Sequence, residues 1–296
     1  MKKKLILITG SSGFIGKFFL KDALNKGFYV VDILRNKNKS NKELNYLRKK
    51  YPKNYKTIFF KKNEQIKNKL KRIKIDYFIN FATLYKNTHK FGDISKFLNS
   101  NIEFPTLILD QLNSNVKKII NFGTMMQHSD GKNYKPKNFY ASTKSAFEMI
   151  LAFYETIHPK TKFYNLKFFE SFSESDKRKK LIPTLFLNYK KNANTFIKSK
   201  NLSLNIIHVN DILNAIYIVL KNNIESGSYG LIQKKNTQIS KLIKIINIKK
   251  KRKLKVKYLN NQIDKIQKSK LKVLKKWKPD IKIEKKIQKM FNNENN

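Results

Sequence analysis

A chain of 296 residues with 65 Lys plus Arg, 20 Asp plus Glu, four His and no Cys is not a disulfide scaffold, a Cys-ligated metal protein or a cysteine-nucleophile enzyme. Its length suits one large α/β domain, or one with a small partner, and 40% apolar and 12% aromatic residues indicate a core rather than disorder. The net charge of +45 is carried almost wholly by Lys; the five Arg are Arg35, Arg48, Arg72, Arg178 and Arg252. Lys spread along the whole chain reads as compositional drift rather than a surface built around guanidinium forks, so no specific nucleic-acid partner is expected.

Three Lys precede Leu5-Ile6-Leu7-Ile8, but this run is too short for a signal-peptide core and stops at Thr9-Gly10. No segment approaches the roughly 20 apolar residues that span a bilayer. The expectation is a soluble, cytoplasmic protein with no membrane span.

Short apolar runs at Lys4 to Ile8, Tyr29 to Leu34, Thr57 to Phe60, Tyr77 to Phe81 and Lys118 to Phe122 read as strands. Between them, Phe14 to Lys26 and Ile94 to Leu112 read as helices. A longer helix is expected over Tyr140 to Ile157, and a sixth strand over Phe163 to Phe168. This alternation predicts an α/β fold of Rossmann type, a doubly wound parallel sheet, with a small C-terminal substrate-binding lobe. Past Glu170 the pattern breaks: Ser171 to Lys180 reads as a loop, Leu202 to Val209 as a strand, Asp211 as the cap of a helix ending near Leu220, and Leu254 to Tyr258 as a basic strand. The densest basic run, Lys249 to Lys257, reads as a solvated strand edge. The expected division is a dinucleotide-binding domain of residues 1–168 with 202–222, and a lobe of residues 169–201 with 223–296.

Thr9-Gly10-Ser11-Ser12-Gly13-Phe14-Ile15-Gly16 lies directly after a strand and opens a helix. Gly10 suits a tight turn, Gly13 a close backbone approach to a pyrophosphate, and Gly16 the packing of helix on strand. The backbone around Gly10, Ser12, Gly13, Phe14, Ile15 and Gly16 would meet the phosphates at the positive end of the helix. Asp32 is an available acceptor for a ribose hydroxyl, but Arg35 follows the strand end and suits a 2′-phosphate. NADP(H) is therefore favoured, with NAD(H) as the alternative.

Tyr140 and Lys144 stand four apart at a helix start, on one face. A phenol is a poor acid–base group at neutral pH, and a nearby ammonium favours its ionised form. The pair can then exchange a proton with a substrate oxygen.

With the glycine turn and Tyr140/Lys144 in place, the sequence resembles the extended short-chain dehydrogenase/reductase family, the NAD(P)-dependent nucleotide-sugar epimerases, dehydratases and reductases. Asp76 to Thr83 looks like that family's fourth-strand motif along the cofactor, which implicates Phe81 and Ala82 in cofactor binding and Thr83 in substrate binding. Asn63 stands where the family usually has an adenine-contacting Asp, and Asn101 matches its helix asparagine, which supports the geometry around the lysine. Asp176 to Pro183 resembles the segment leading into the substrate lobe, His208 to Asp211 the family's Val-Asp-Asp turn, and Trp277-Lys278-Pro279 its closing motif, with Lys276 where glycine is commoner. Thr124 takes the place of the third catalytic group, after Tyr140 and Lys144.

Met125 and Met126 follow Thr124 where dehydratases of the family carry an Asp-Glu pair, and neither can move a proton, which disfavours dehydration. Hydride transfer at a sugar carbonyl or carbinol remains, either 4-epimerisation with NAD or reduction of a 4-keto sugar with NADPH. Phe104-Pro105, Thr124 to Gln127 and Asn138 to Glu148 together resemble the CDP-abequose synthase group, which reduces a CDP-linked 4-keto-dideoxy sugar. The resemblance implies a reductase in surface-polysaccharide (lipopolysaccharide O-antigen) sugar synthesis acting on a nucleotide-diphosphate sugar. Thr124 and Met125 would then contact the sugar, and Arg178 and Lys180 the diphosphate. A homodimer is expected through the helices around 94–112 and 140–157, where Phe97, Leu107, Phe147, Ile150 and Phe153 exceed one buried face. A non-catalytic, polyanion-binding member of the family is the distant alternative.

Overall fold

The computed structural model describes residues 4–35, 42–71, 73–112, 116–248, 252–260 and 269–292. Two compact units result, one of Met1–Lys167 with Ile216–Tyr229, the other of Phe168–Ala215 with Gly230–Asn296. The stretch 202–222, expected whole in the first unit, is divided between the two.

In the first unit the order is β1 (Leu5–Thr9), α1 (Phe14–Asn25), β2 (Tyr29–Leu34), α2 (Lys42–Lys50), β3 (Tyr55–Phe59), α3 (Glu64–Leu70), β4 (Tyr77–Asn80), α4 (Ile94–Leu98), α5 (Phe104–Asp110), β5 (Lys118–Phe122), α6 (Phe139–Ile157) and β6 (Lys162–Lys167). The strands form a parallel sheet in the Rossmann-like order β6-β5-β4-β1-β2-β3. Gly227–Gly230 adds a seventh strand beside β6; it lies in residues the sequence reading gave to the lobe. Ile6, Leu7 and Ile8 of β1 are fully buried, as a strand covered on both faces requires.

The chain reverses direction across the sheet between β1 and β4, which places a crevice at the carboxyl ends of these two strands. One face of the sheet is covered by a core that includes Ile33, Ile58, Phe78, Phe104, Ile108, Phe147, Leu151 and Tyr154. The single helix expected over Ile94 to Leu112 is interrupted: a wider π-type turn, Asn99–Glu103, separates α4 from α5, which begins on Phe104-Pro105. Such turns distort a helix where a side chain is wanted out of register.

In the second unit, helices Leu181–Lys190, Ile239–Asn247 and Ile283–Asn292 share a core of Ile182, Leu185, Tyr189, Leu242, Ile246, Ile287 and Phe291. Strand Val256–Asn260 pairs in parallel with Thr195–Ser199. The expected basic edge is therefore paired on one side, and residues 249–251 of the Lys249 to Lys257 run lie outside the described residues. The expected strand over Leu202 to Val209 is two short ones, Ser203–Leu204 and Ile206–His208. Asp211 does not begin its helix, which spans Val209–Lys221. Its carboxylate accepts from the backbone N–H of Asp280 at 3.0 Å, and its carbonyl accepts from Trp277 Nε1 at 2.9 Å, so it fastens the Trp277 segment instead.

Among the described residues no helix is long and apolar enough to cross a membrane.

Candidate active site

At the crevice the loops after β1 and β4 touch. Gly10 has φ +69°, and a Cβ there would lie 2.6 Å from the backbone of both Phe81 and Ala82, so only glycine fits. A Cβ on Gly16 would collide with the Gly10 carbonyl. Gly13 precedes α1 in extended conformation without a side-chain cap, so the positive end of the helix, at Phe14 and Ile15, opens beside the glycine turn. Ser12 is exposed beside them. This cradle fits a dinucleotide pyrophosphate.

The sequence offered two polar groups for the ribose, Asp32 on β2 and Arg35 just past its end, and the structure separates them. Asp32 is fully buried, accepting from Ser11 Oγ at 2.6 Å and from the Tyr55 hydroxyl at 2.9 Å. Burial pushes its carboxyl above the usual range although the nearby hydroxyls of Ser11, Thr57 and Tyr55 oppose this. Leu34 ends the strand, buried, and Arg35 follows with its guanidinium 5.5 Å from the centre of the Phe104 ring, which stacks on Phe60. Asn63 donates its amide to Glu103 at 2.7 Å.

Asn101, buried in the π-type turn, clamps two loops. Its Oδ1 accepts from Leu84 N at 2.6 Å and from the Thr83 hydroxyl at 3.2 Å, and its Nδ2 donates to Leu84 O and to Thr143 Oγ1, both at 3.0 Å. Thr143 in turn donates to the carbonyl of Tyr140 at 2.8 Å. The segment after β4 is thereby fixed to the first turn of α6, between Tyr140 and Lys144.

Asn138 caps α6, its Oδ1 accepting from Ala141 N at 3.0 Å, so Tyr140 falls in the first turn. The Tyr140 ring meets Tyr85 edge to face, centroids 4.9 Å apart. Lys144 is 2% exposed, and among the described residues its ammonium has no hydrogen-bond or ion-pair partner. Burial pushes its pKa down to about 8, the Glu148 charge opposing. A buried cation without an acceptor among the described residues suits the hydroxyls of a bound ribose.

Thr124 leaves β5 extended; its hydroxyl accepts from Met126 N at 3.2 Å, and its N–H donates to Gln127 Oε1 at 2.8 Å. Met126 is partly exposed, whereas Met125, expected against the substrate, is fully buried and presents no surface to one. In the second unit, Arg178 holds the Asp176 carboxylate at 2.7 Å and the Ser171 carbonyl at 2.6 Å, and Lys180 lies 3.3 Å from Glu170. A diphosphate there would compete with two carboxylates.

Sequence reading missed a buried polar network behind these residues. Glu148, Gln127 and Lys167 form one part of it, and in-register side chains of Thr9, Asn80, Asn121 and Asn165 form the other. The signals were a Glu one turn past Lys144 and single polar residues inside apolar strands.

A sequence profile of the NAD dependent epimerase/dehydratase family matches residues 6–232. The chain belongs to that family. It is an NAD(P)-dependent extended short-chain dehydrogenase/reductase enzyme of the nucleotide-sugar type. CDP-abequose synthase of Salmonella typhimurium is 26% identical over 236 residues, 77% of this chain and 73% of that protein. The same enzyme of Salmonella muenchen is 23% identical over 230 residues, 77% and 74% of the two chains. The fold matches UDP-glucose 4-epimerase of Thermotoga maritima bound to UDP-glucose, with TM-score 0.76 at 16% identity over 98% of both chains. It also matches dTDP-glucose 4,6-dehydratase of Bacillus anthracis in complex with NAD, with TM-score 0.77 at 18% identity over 99% of this chain and 97% of that one.

Proposed function

We propose that this family member is an NADPH-dependent reductase of a nucleotide-diphosphate 4-keto-deoxy sugar, acting in the cytoplasm in surface-polysaccharide sugar synthesis. The observation that carries this reading is the burial of Asp32 against Ser11 and Tyr55, which leaves Arg35 as the polar group at the end of β2 among the described residues. A guanidinium there favours a 2′-phosphate. The similarity to CDP-abequose synthases and the two Met after Thr124, where no proton carrier follows, agree with reduction rather than dehydration.

The glycine turn would hold the pyrophosphate, Arg35 the 2′-phosphate, Asn63, Phe81 and Ala82 the nucleoside portions, and Lys144 the nicotinamide ribose. Bound NADPH would supply hydride for C4 of the sugar. Thr124 positions the C4 oxygen by a hydrogen bond. Tyr140 gives its phenolic proton to that oxygen as charge develops on it, and Lys144 stabilises the resulting phenolate. Arg178 and Lys180 would exchange their carboxylate partners for the substrate diphosphate. Asn101 keeps the segment after β4 in place beside Tyr140.

Turnover of a panel of nucleotide-linked 4-keto sugars with NADPH and with NADH, followed by cofactor absorbance, tests this. Oxidation of NADPH in proportion to sugar supports it. Interconversion of 4-hydroxy epimers with catalytic NAD and no net cofactor consumption would replace it with the epimerase.

The enzyme is further proposed to be a homodimer. Met149, Phe153 and Ile157 form an exposed stripe on α6 at 50–63% exposure, with Leu98 exposed on α4. Phe97 and Phe147, expected in that surplus, are fully buried in the core instead.

A further inference from the structure

Glu148 lies on α6 one turn beyond Lys144 and two beyond Tyr140, and it is buried. Its Oε2 accepts from Gln127 Nε2 at 2.6 Å and from the Lys167 ammonium at 2.7 Å, and its Oε1 accepts from the Ser228 hydroxyl. The other end of the Gln127 amide accepts the N–H of Thr124 at 2.8 Å. Two hydrogen bonds therefore join the Glu148 carboxylate to the backbone of Thr124.

We propose that Glu148 is a positioning residue of this enzyme, fastening the turn that carries Thr124 to the helix face that carries Tyr140 and Lys144. This rests on the roles given to those three residues above.

The surroundings are arranged around that carboxylate. Lys167, with no exposed surface, reaches it from β6 and also meets His128 Nε2 at 2.8 Å. His128 Nδ1 is 3.0 Å from the Asn133 carbonyl and so carries the ring proton, which leaves Nε2 to accept from the ammonium. Burial and the Lys167 charge hold this histidine below its usual pKa, hence neutral. The Tyr134 ring lies under the Lys167 ammonium at 4.9 Å, and burial together with the Glu148 charge pushes its phenol up.

Gly123 makes the room. A Cβ there would stand 2.7 Å from Gln127 Oε1 and 2.8 Å from Lys167 Cγ. On the sheet side, Thr9 donates to Asn80 at 2.6 Å, Asn80 to Asn121 at 2.9 Å and Asn121 to Asn165 at 2.8 Å. The Asn165 amide nitrogen, which donates to no described residue, favours the ionised form of the Glu148 carboxylate. Every donor in this row points the same way. The charged groups facing Glu148 are thus Lys144 on its own helix and Lys167 from β6, with neutral His128 and Tyr134 from the segment after β5. A buried ion pair with this many fitted partners is costly to assemble and is better explained by the geometry it enforces than by stability.

The test uses Glu148→Gln and the double variant Glu148→Gln/Lys167→Met, which removes the orphaned cation. Three quantities are read: the melting temperature, kcat and KM, and the titration of Lys144 by NMR of carbon-labelled lysine, its signal identified by its loss in Lys144→Met. Glu148→Gln is expected to lower kcat roughly tenfold or more with KM changed less than about threefold, because displaced groups act on the transition state. Lys144 should titrate at lower pH, since the carboxylate that favours its charge is gone. The double variant should regain the lost melting temperature while kcat and the Lys144 titration stay low. Recovery of kcat together with melting temperature, or an unmoved Lys144 titration in Glu148→Gln, would reduce Glu148 to an internal brace and overturn the proposal. If the wild type reduces no 4-keto sugar, the reductase reading fails, and the titration and melting data still decide the role of Glu148.

Discussion

Ser11 and Asp32 face each other inside the protein, hydroxyl to carboxylate at 2.6 Å, so the phosphate-binding turn after β1 is tied to the middle of β2. The acid that looks available for a ribose is engaged in holding that turn. Asp32→Ala should therefore weaken NADPH and NADH by similar factors and lower the melting temperature, since it leaves Ser11 and Tyr55 unpaired. Calorimetric binding of both cofactors would check this, and a loss confined to NADH would restore Asp32 as a ribose ligand.

Arg35→Ala should behave differently. A charge-assisted bond to a 2′-phosphate is worth about 1–3 kcal/mol, and only NADPH can lose it. NADH affinity should stay near wild type in the same titration. Equal losses would favour NAD and the epimerase.

Tyr140→Phe removes one hydroxyl at the end of an aromatic contact that the new ring can keep. Folding and cofactor affinity should be retained while turnover falls by orders of magnitude, because the lost step is proton transfer in the transition state. Steady-state kinetics beside a melting curve distinguish this from unfolding.

Lys144 gives a pH signature. Its pKa is about 8 when folded against 10.5 ordinarily, so between these values the folded state binds fewer protons than the unfolded one. Stability should rise with pH through that window. Below it, the buried ammonium costs on the order of 3 kcal/mol, at about 1.4 kcal/mol per pKa unit. Lys144→Met should therefore melt higher than wild type at pH 7 and lose the rise, while activity disappears. Bound cofactor should shrink the difference.

The exposed stripe on α6 predicts the oligomer. Replacing Met149 and Phe153 together by Glu and Lys should convert a dimer to a monomer by light scattering at micromolar concentration, with little change in helix content. A wild type that is already monomeric refutes the pairing.

Much of the first unit was legible in the sequence because its strands are apolar runs bounded by turn residues, and the glycine turn demands its own backbone. Tyr140 fell in the first turn of the expected helix, which Asn138 caps. Three features were not legible. The π-type turn at Asn99–Glu103 shifts no residue type, only a hydrogen-bond spacing. The strand Gly227–Gly230 is glycine at both ends and gains its place from β6 rather than from propensity. Asp32 and Arg35 could be told apart only by where Ser11 and Tyr55 point, which is a tertiary fact.

The row from Thr9 to Asn165 has a direction, and direction makes its members unequal. Thr9 stands at its head, where a hydroxyl gives a proton to Asn80 while taking one from Ala82 N at 3.2 Å, so the row begins at the crossover beside the glycine turn. Serine could fill that place, whereas valine, the same shape, would silence both neighbours. An aspartate in the interior of the row would place acceptor against acceptor and break the sequence in the middle. Such a row makes four adjacent strands interdependent at one depth, so a library that varies Asn80, Asn121 and Asn165 singly should return almost nothing, while joint replacement by apolar residues should return folded protein whose Glu148 has lost one of its supports.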